Sequence, residues 1–228
     1  MNLKQQAASR ALEEVRDGMR LGLGSGSTST YFIQMVGERL QAGALHDLMG
    51  VPTSEEVAGL ARVVGIPLTT LAECPQLDLA VDGADEVDPA LNLIKGLGKA
   101  LLREKIVEIH ARKLVIIVDE SKIVPRLGSR GPLPVEIVPF EAEAHVRWLG
   151  SLGCRAELWR DPAEAPFVTD NGNYLARCWF SGGIPDVHAL ARLLADRPGI
   201  VEHGLFLDLA SQVIVAGENG IRILERRL

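Results

Sequence analysis

The stretch MRLGLGSGSTST, residues 19–30, has the pattern of a short buried strand, a turn rich in glycine and serine, and the start of a helix. Apolar runs of this length are typical of strands covered on both faces. Similar runs recur along the first half of the chain, at residues 48–52, 66–71, 77–81 and 114–118. Segments of helical length separate them, at residues 28–41, 54–64 and 99–112. This alternation predicts an α/β fold with a doubly wound, mostly parallel sheet of the Rossmann-like type, in which ligands bind at the carboxyl ends of the strands.

The pattern changes at GSRGPLP, residues 128–134, whose glycine and proline residues are typical of a linker. Six segments then follow in the order strand, helix, strand, strand, helix, strand: VEIVPF, EAEAHVRWLGSLG, CRAELWR, FVTDNGNYLARCWF, DVHALARLLADRPG and GLFLDLA. This order is typical of ferredoxin-like α+β domains. We therefore predict an α/β domain at residues 1–130, which the chain rejoins at about residues 208–228, and a smaller ferredoxin-like domain at residues 131–207.

The composition excludes several classes of function. Of the 228 residues 47% are hydrophobic, and no uncharged apolar run reaches the roughly 18 residues of a membrane span, so we expect a cytoplasmic protein without a membrane partner. A net charge of −6 and an aromatic content of 4% disfavour binding to nucleic acid. The three cysteines form no C-x-x-C motif and the five histidines have no paired-ligand spacing, so neither a disulfide framework nor a metal site is expected.

The segment GLGSGSTST, residues 22–30, predicts a site for a small anion. It follows a strand and opens a helix, so free backbone N–H groups, the positive end of the helix dipole and several hydroxyls meet at one point. The alternative is a tight turn in which Ser27 or Thr28 only caps the helix. Because the third glycine of G-x-G-x-x-G and the lysine of the Walker A motif are both missing, a small phosphorylated ligand fits better than a dinucleotide.

The segment VDGADEVDP, residues 81–89, places four carboxylates directly after a buried strand. It could be a solvated acidic turn or a calcium loop, although its acids at 82, 85 and 88 lack the alternate spacing of an EF-hand. A third possibility is that carboxylates at this strand end accept hydrogen bonds from sugar hydroxyls and move their protons.

The segment KGLGKALLREKIVEIH, residues 95–110, combines a lysine, two glycines and a helix. On an ideal helix Glu104 falls within the apolar arc, where desolvation raises the pKa of a carboxyl and makes its carboxylate more basic. Glu104 is therefore either a proton-abstracting base or an acid paired with an Arg or Lys at the helix edge. Lys95 and Lys122, the latter in VDESK, are solvated by default.

Together, GLGSGSTST, VDGADEVDP, KGLGKALLREKIV and VDESK resemble the motifs of type A ribose-5-phosphate isomerases in order and spacing. The resemblance continues through PLPVEIVPF, VTDNGNY and PGIVEHGLF. It implies an aldose-ketose isomerase of the non-oxidative pentose phosphate pathway, which interconverts D-ribose 5-phosphate and D-ribulose 5-phosphate through an enediolate. It also implies a phosphorylated pentose as substrate, no cofactor and no metal, and a homodimer or homotetramer.

The resemblance assigns roles residue by residue. The family's substrate loop falls on Ser25, Gly26, Ser27 and Thr28. Its acidic loop falls on Asp82, Gly83, Ala84 and Asp85, and its lysine-glycine loop on Lys95, Gly96, Leu97 and Gly98. The proton acceptor matches Glu104, a substrate-binding lysine matches Lys122, and a phosphate-contacting lysine corresponds to Lys4. Asp82, Asp85, Lys95 and Glu104 are the implied catalytic residues, which leaves Glu86 and Asp88 only to solvate the acidic loop.

Three positions depart from the family pattern. Ser25 stands where threonine is frequent, Leu97 where glycine is usual, and Lys99 where a small residue is usual. Two other functions use similar folds, a phosphosugar-sensing regulator and an acyl or CoA transferase. A sensor has no need of a base such as Glu104, whereas the transferase needs a nucleophilic glutamate beside a CoA site.

Overall fold

The computed structural model describes residues 1–226, and residues 227 and 228, which end the predicted first domain, lie outside that part. Its helices are α1 Leu3–Leu12, α2 Ser27–Gln41, α3 Glu55–Val63, α4 Leu101–Glu108, α5 Ala142–Ser151 and α6 Val187–Ala195. Its strands are β1 Arg20–Leu23, β2 Met49–Pro52, β3 Leu79–Asp82, β4 Glu86–Val87, β5 Leu93–Ile94, β6 Leu114–Asp119, β7 Leu133–Ile137, β8 Arg155–Leu158, β9 Tyr174–Trp179, β10 Ile200–His203, β11 Leu205–Phe206, β12 Gln212–Gly217 and β13 Gly220–Glu225. A 3-10 turn, Glu120–Lys122, follows β6.

The chain forms two compact units. The first comprises Met1–Ala84, Arg103–Lys122 and the described part of Asp208–Leu228. The second comprises Asp85–Leu102 and Ile123–Leu207.

The first unit is built on a six-stranded sheet in the order β13-β12-β6-β3-β1-β2. All of its neighbouring strands are parallel except β12 and β13, which form an antiparallel hairpin. Successive residues of β1 face opposite sides of this sheet. Leu21 and Leu23 belong to the apolar core formed with α1 and α2, whereas a Cβ on Gly22 would lie 2.9 Å from Val107 Cγ1 of α4. Helices therefore cover both faces, as the α/β prediction requires.

Three elements of this unit differ from the predicted ones. Helix α1 was not predicted; it begins with a capping box in which Asn2 and Gln5 exchange side-chain to backbone hydrogen bonds. Residues 66–71 do not form a strand, because their pairing is limited to one bridge between Leu68 and Gly50. Helix α4 begins only at Leu101, because Lys99 has a φ of 70° that no α-helix accommodates.

The second unit contains the predicted ferredoxin-like arrangement, β7-α5-β8-β9-α6-β10, in a sheet of order β10-β7-β9-β8 with antiparallel neighbours. The fourth strand of this arrangement was predicted at GLFLDLA but is Ile200–His203. Gly204 separates it from β11, and a Cβ there would lie 2.3 Å from the Lys95 carbonyl oxygen. Strand β11 instead pairs with β5 in a separate three-stranded sheet, β11-β5-β4.

A buried carboxylate organises the turn before β9. Glu136 of β7 is fully buried, and its Oε1 accepts hydrogen bonds from Thr169 Oγ1 at 3.0 Å, Asn171 Nδ2 at 3.1 Å and Asn173 Nδ2 at 2.9 Å. Such charge-assisted hydrogen bonds are stronger than neutral ones, so they fix the conformation of the TDNGN turn.

None of the helices within residues 1–226 has the length and apolar character needed to span a membrane.

Candidate active site

Three parallel strands of the first unit, β1, β2 and β3, end at nearly the same level. Leu23 is in register with Pro52 of β2 and with Val81 of β3. The next residue along each strand is therefore Gly24, Thr53 or Asp82, and these three form a row at the carboxyl edge of the sheet. Ligands of doubly wound sheets bind at this edge.

The geometry around Asp82 depends on a glycine. A Cβ on Gly24 would lie 2.1 Å from Asp82 Cγ, closer than any real contact, so only glycine leaves room for the carboxylate. Asp82 is 1% exposed, and its Oδ1 accepts hydrogen bonds from Ser29 Oγ at 2.9 Å and from the Gly83 N–H at 2.6 Å. The acid therefore has a fixed orientation rather than the mobility of a solvated turn, and Gly83 and Ala84 continue the chain beside it.

The substrate loop Ser25–Thr28 has the features of an anion site. Gly26 is the N-cap of α2 with a φ of 96°, and no side chain caps the helix, so the capping role considered for Ser27 or Thr28 is wrong. The first N–H groups of an α-helix have no intrahelical partner and attract negative charge. Lys4 Nζ donates to Ser27 Oγ at 2.8 Å, which adds a positive charge to this loop.

Ser25 is oriented by two residues that directly follow β2. Its Oγ lies 2.8 Å from Thr53 Oγ1 and donates to Ser54 Oγ at 3.1 Å, while Thr53 Oγ1 donates to the Leu23 carbonyl at 2.9 Å. Sequence reasoning missed Ser29, Thr53 and Ser54. The signal was available in GVPTS, where polar residues follow an apolar strand at the same sheet edge as Asp82.

Glu104 lies in the first turn of α4 and is 3% exposed. Val107 of α4 faces Gly22 of β1, the strand next to β3. Ala111, four residues later in the chain, forms a bridge with Leu77, just before β3 begins. The chain therefore runs antiparallel to β3 along α4. Glu104 comes one turn before Val107 and is therefore displaced toward the carboxyl end of β3, where Asp82 lies. Lys122, a partly exposed residue, ends the 3-10 turn that follows β6, the neighbour of β3.

The other predicted residues belong to the second unit. Asp85 Oδ2 accepts a hydrogen bond from the Leu97 N–H at 2.9 Å, and Gly96 adopts a φ of 102°. Lys95 is 2% exposed, and its ammonium lies 5.3 Å from the centroid of the Phe206 ring. The default of a solvated lysine is therefore wrong for Lys95. Gly98 is exposed, and a Cβ there would meet no atom within 4 Å.

Glu86 and Asp88 do more than solvate the acidic loop, so that prediction is wrong. Glu86 is 2% exposed and accepts hydrogen bonds from three backbone N–H groups, of Gly128 at 2.5 Å, Arg130 at 2.8 Å and Gly131 at 2.9 Å. Asp88 Oδ1 accepts from the N–H groups of Ala90 and Asn92. Both acids hold loops of the second unit, a role that their position in an acidic run conceals.

Among the described residues, no group of three or more His, Cys, Asp and Glu side chains is arranged to hold a metal ion. The available chemistry is that of carboxylates, hydroxyls, backbone N–H groups and lysine ammonium groups.

Comparisons with known proteins agree on one family. A model described as ribose 5-phosphate isomerase A (phosphoriboisomerase A) matches residues 49–220. The ribose-5-phosphate isomerase A of Roseiflexus castenholzii is 52% identical over 222 residues, which cover 97% of this chain and 94% of the relative. That of Bradyrhizobium diazoefficiens is 49% identical over an alignment of 235 positions, which covers 99% of this chain and 96% of the relative.

Solved structures give the same result. A D-ribose-5-phosphate isomerase in complex with phospho-erythronic acid superposes with a TM-score of 0.95 at 42% identity, covering 99% of this chain and 100% of that one. The ribose 5-phosphate isomerase of Plasmodium falciparum also gives 0.95, at 35% identity, with 99% of each chain covered.

Proposed function

This chain belongs to the ribose-5-phosphate isomerase A family, and from that membership we propose how its own residues carry out the reaction. The protein is an aldose-ketose isomerase of D-ribose 5-phosphate and D-ribulose 5-phosphate. The reaction moves one proton between C1 and C2 of the open-chain sugar and passes through an enediolate. It therefore needs a base, a charge that stabilises the enediolate oxygens, and a grip on the phosphate.

Glu104 is the proposed base. The supporting observation is its burial in the first turn of α4, where it is 3% exposed. A carboxylate shielded from water is a stronger base than a solvated one. One such group removes the proton from C2 of ribose 5-phosphate and returns it to C1.

Asp82, Asp85 and Lys95 are proposed to act on the sugar oxygens. The two acids accept hydrogen bonds from hydroxyls and assist ring opening, and the orientation of Asp82 by Ser29 and Gly83 supports this role. The ammonium of Lys95 offsets the charge that develops on the enediolate. Gly83, Ala84, Gly96, Leu97, Gly98 and Lys122 are proposed to contact the substrate.

The substrate loop Ser25–Thr28 is proposed to bind the phosphate. Its uncapped helix start and Lys4, which donates to Ser27, supply N–H groups, hydroxyls and positive charge to a group that does not react. We further propose that the enzyme acts in the cytoplasm as a homodimer or homotetramer, as family membership suggests.

Replacement of Glu104 tests the proposal. In Glu104→Gln the amide keeps the shape of the side chain but cannot accept the C2 proton, so kcat should fall by about 10³- to 10⁴-fold while ribose 5-phosphate still binds. In heavy water the wild type should incorporate deuterium at C1 of ribulose 5-phosphate, to the extent that the glutamic acid exchanges with solvent.

Glu108→Gln is the matched control, because Glu108 is equally buried one turn further along α4. It should keep kcat within a few fold of the wild type. If Glu104→Gln instead keeps more than about a tenth of wild-type kcat, Glu104 is not the base.

A further inference from the structure

Lys99 adopts a backbone conformation that is unfavourable for lysine. Its φ is 70°, in the left-handed region that residues other than glycine seldom occupy. Its N–H donates to the Gly96 carbonyl at 2.9 Å. This bond closes a tight turn over residues 96–99, which includes most of the lysine-glycine loop, residues 95–98. Such a conformation persists only where the surroundings hold it.

Two aromatic rings hold the Lys99 side chain. Its ammonium lies 4.1 Å from the centroid of the Phe167 ring and 5.3 Å from that of Trp159. Both distances are within the range of cation–π attraction, and both rings are half-buried, which weakens competition from water.

The rings belong to a rigid part of the second unit. The Phe167 N–H donates to the Trp159 carbonyl at 2.8 Å, and the Trp159 N–H donates to the Leu175 carbonyl of β9 at 2.7 Å. Two residues after Phe167, Thr169 is bound to the buried Glu136. The backbone that carries the rings is thus tied to the four-stranded sheet.

The start of the loop has restraints of its own, because the Lys95 N–H donates to the Gly204 carbonyl at 2.9 Å and the Lys95 ammonium lies 5.3 Å from the centroid of the Phe206 ring. Gly96 and Gly98 lower the energetic cost of alternative backbone conformations, and a Cβ on Gly98 would meet nothing within 4 Å. The Leu97 N–H is bound to Asp85, but the far end of the loop is held by the Gly96 turn and the Lys99 side chain.

We propose that Phe167 and Trp159 clamp Lys99 and thereby order residues 95–99 for substrate binding, so that all three are positioning residues. The proposal rests on the proposed role of this loop in contacting the sugar. The Lys99 ammonium faces the two rings, so its contribution is to fix Gly96, Leu97 and Gly98 in place.

A double-mutant cycle tests the clamp. Lys99→Met keeps the unbranched stem and the backbone preference but removes the charge, and Phe167→Leu keeps apolar bulk but removes the ring. Each should lower kcat/KM for ribose 5-phosphate by about 3- to 10-fold, mainly through KM, and the double variant should be no worse than the worse single variant. Hydrogen exchange of the Leu97 and Lys99 amides should also accelerate by about 3- to 10-fold in both single variants.

Arg155→Met is the matched control. It removes a cation that lies 4.0 Å from the centroid of the Trp179 ring in the four-stranded sheet, outside residues 95–99. It should change neither kcat/KM nor exchange in the loop. Losses that multiply in the double variant, or unchanged amide exchange in Phe167→Leu, would overturn the clamp. If the wild type does not isomerise ribose 5-phosphate, the proposed function fails, and amide exchange still decides whether the clamp exists.

Discussion

At the scale of single residues, small side chains position Asp82, one of the proposed catalytic residues. Gly24 leaves the space that the Asp82 carboxylate occupies, and Ser29 then fixes its orientation. In the second unit, the neighbouring Cys178 thiol lowers the pKa of Cys154.

Gly24→Ala should impair catalysis without unfolding the protein. The added methyl group overlaps the Asp82 carboxylate, which must rotate away from Ser29 and Gly83. We expect kcat/KM to fall at least about 10-fold, as mispositioned catalytic groups typically cost. Steady-state kinetics and circular dichroism measure the two effects, and normal kcat/KM in a folded variant would contradict this account of Asp82.

Cys154 should be alkylated faster than Cys178 between pH 7 and 9. The hydrogen bond from the Cys178 thiol lowers the pKa of Cys154, against the opposing effect of partial burial, while the same bond and near-complete burial raise the pKa of Cys178 well above its ordinary value. A lowered pKa means more thiolate at neutral pH, and the thiolate is the nucleophile. Cys178→Ala should therefore slow alkylation of Cys154 at pH 8, measured by mass spectrometry; faster or unchanged labelling would refute the hydrogen bond.

At the scale of secondary-structure elements, most residues proposed to carry the chemistry lie at or near the ends of strands and helices, or in the loops between them. Helix α3 is an example: Ser54 caps it by accepting a hydrogen bond from the Val57 N–H and also contacts Ser25 of the substrate loop. Its interior contains Gly59, a residue that weakens helices because it is flexible when unfolded.

Gly59→Ala should stabilise the protein. A Cβ at this position meets no atom within 4 Å, so only the gain in helix propensity remains, about 0.5–1 kcal/mol. The melting temperature should rise by about 2 °C with kcat unchanged. Gly37→Ala in α2 is the control of opposite sign, because its Cβ would lie 2.6 Å from the Val64 Cβ. A lower melting temperature for Gly59→Ala would be inconsistent with the open space at that site.

At the scale of the whole molecule, the chain returns to its first unit to complete the central sheet. Strand β12 lies between β6 and β13, and all six of its residues are buried. Without it, the apolar strand β6 would become an exposed edge, which is prone to aggregation.

A chain that ends at residue 207 should therefore fail to fold its first unit. We expect loss of a cooperative thermal transition and aggregation on expression, monitored by circular dichroism and light scattering. Ile221→Ser, at a residue of β13 that is 37% exposed, leaves β12 in place and should keep both the transition and the activity. A soluble truncated protein that melts like the intact chain would show that β12 is dispensable.

The sequence by itself determined several of the longer strands, most helices and the α/β and ferredoxin-like classes, because apolar periodicity and glycine turns are local signals. It failed where the signal was weak or a local conformation prevailed: α1 has little apolar periodicity, residues 66–71 make one bridge, and Lys99 delays the start of α4. The four motifs also identified the family, because their order and spacing are properties of the sequence alone.

Only the tertiary structure decided what surrounds each candidate residue. Parallel register brings Gly24, Thr53 and Asp82 into one row, although they are distant in sequence. Folding likewise separates the acids of one loop, since Asp82 is held by Ser29 whereas Glu86 binds the N–H groups of residues 128, 130 and 131. A residue's type fixes which hydrogen bonds it can make, but its burial and its partners come from segments that meet only when the chain folds.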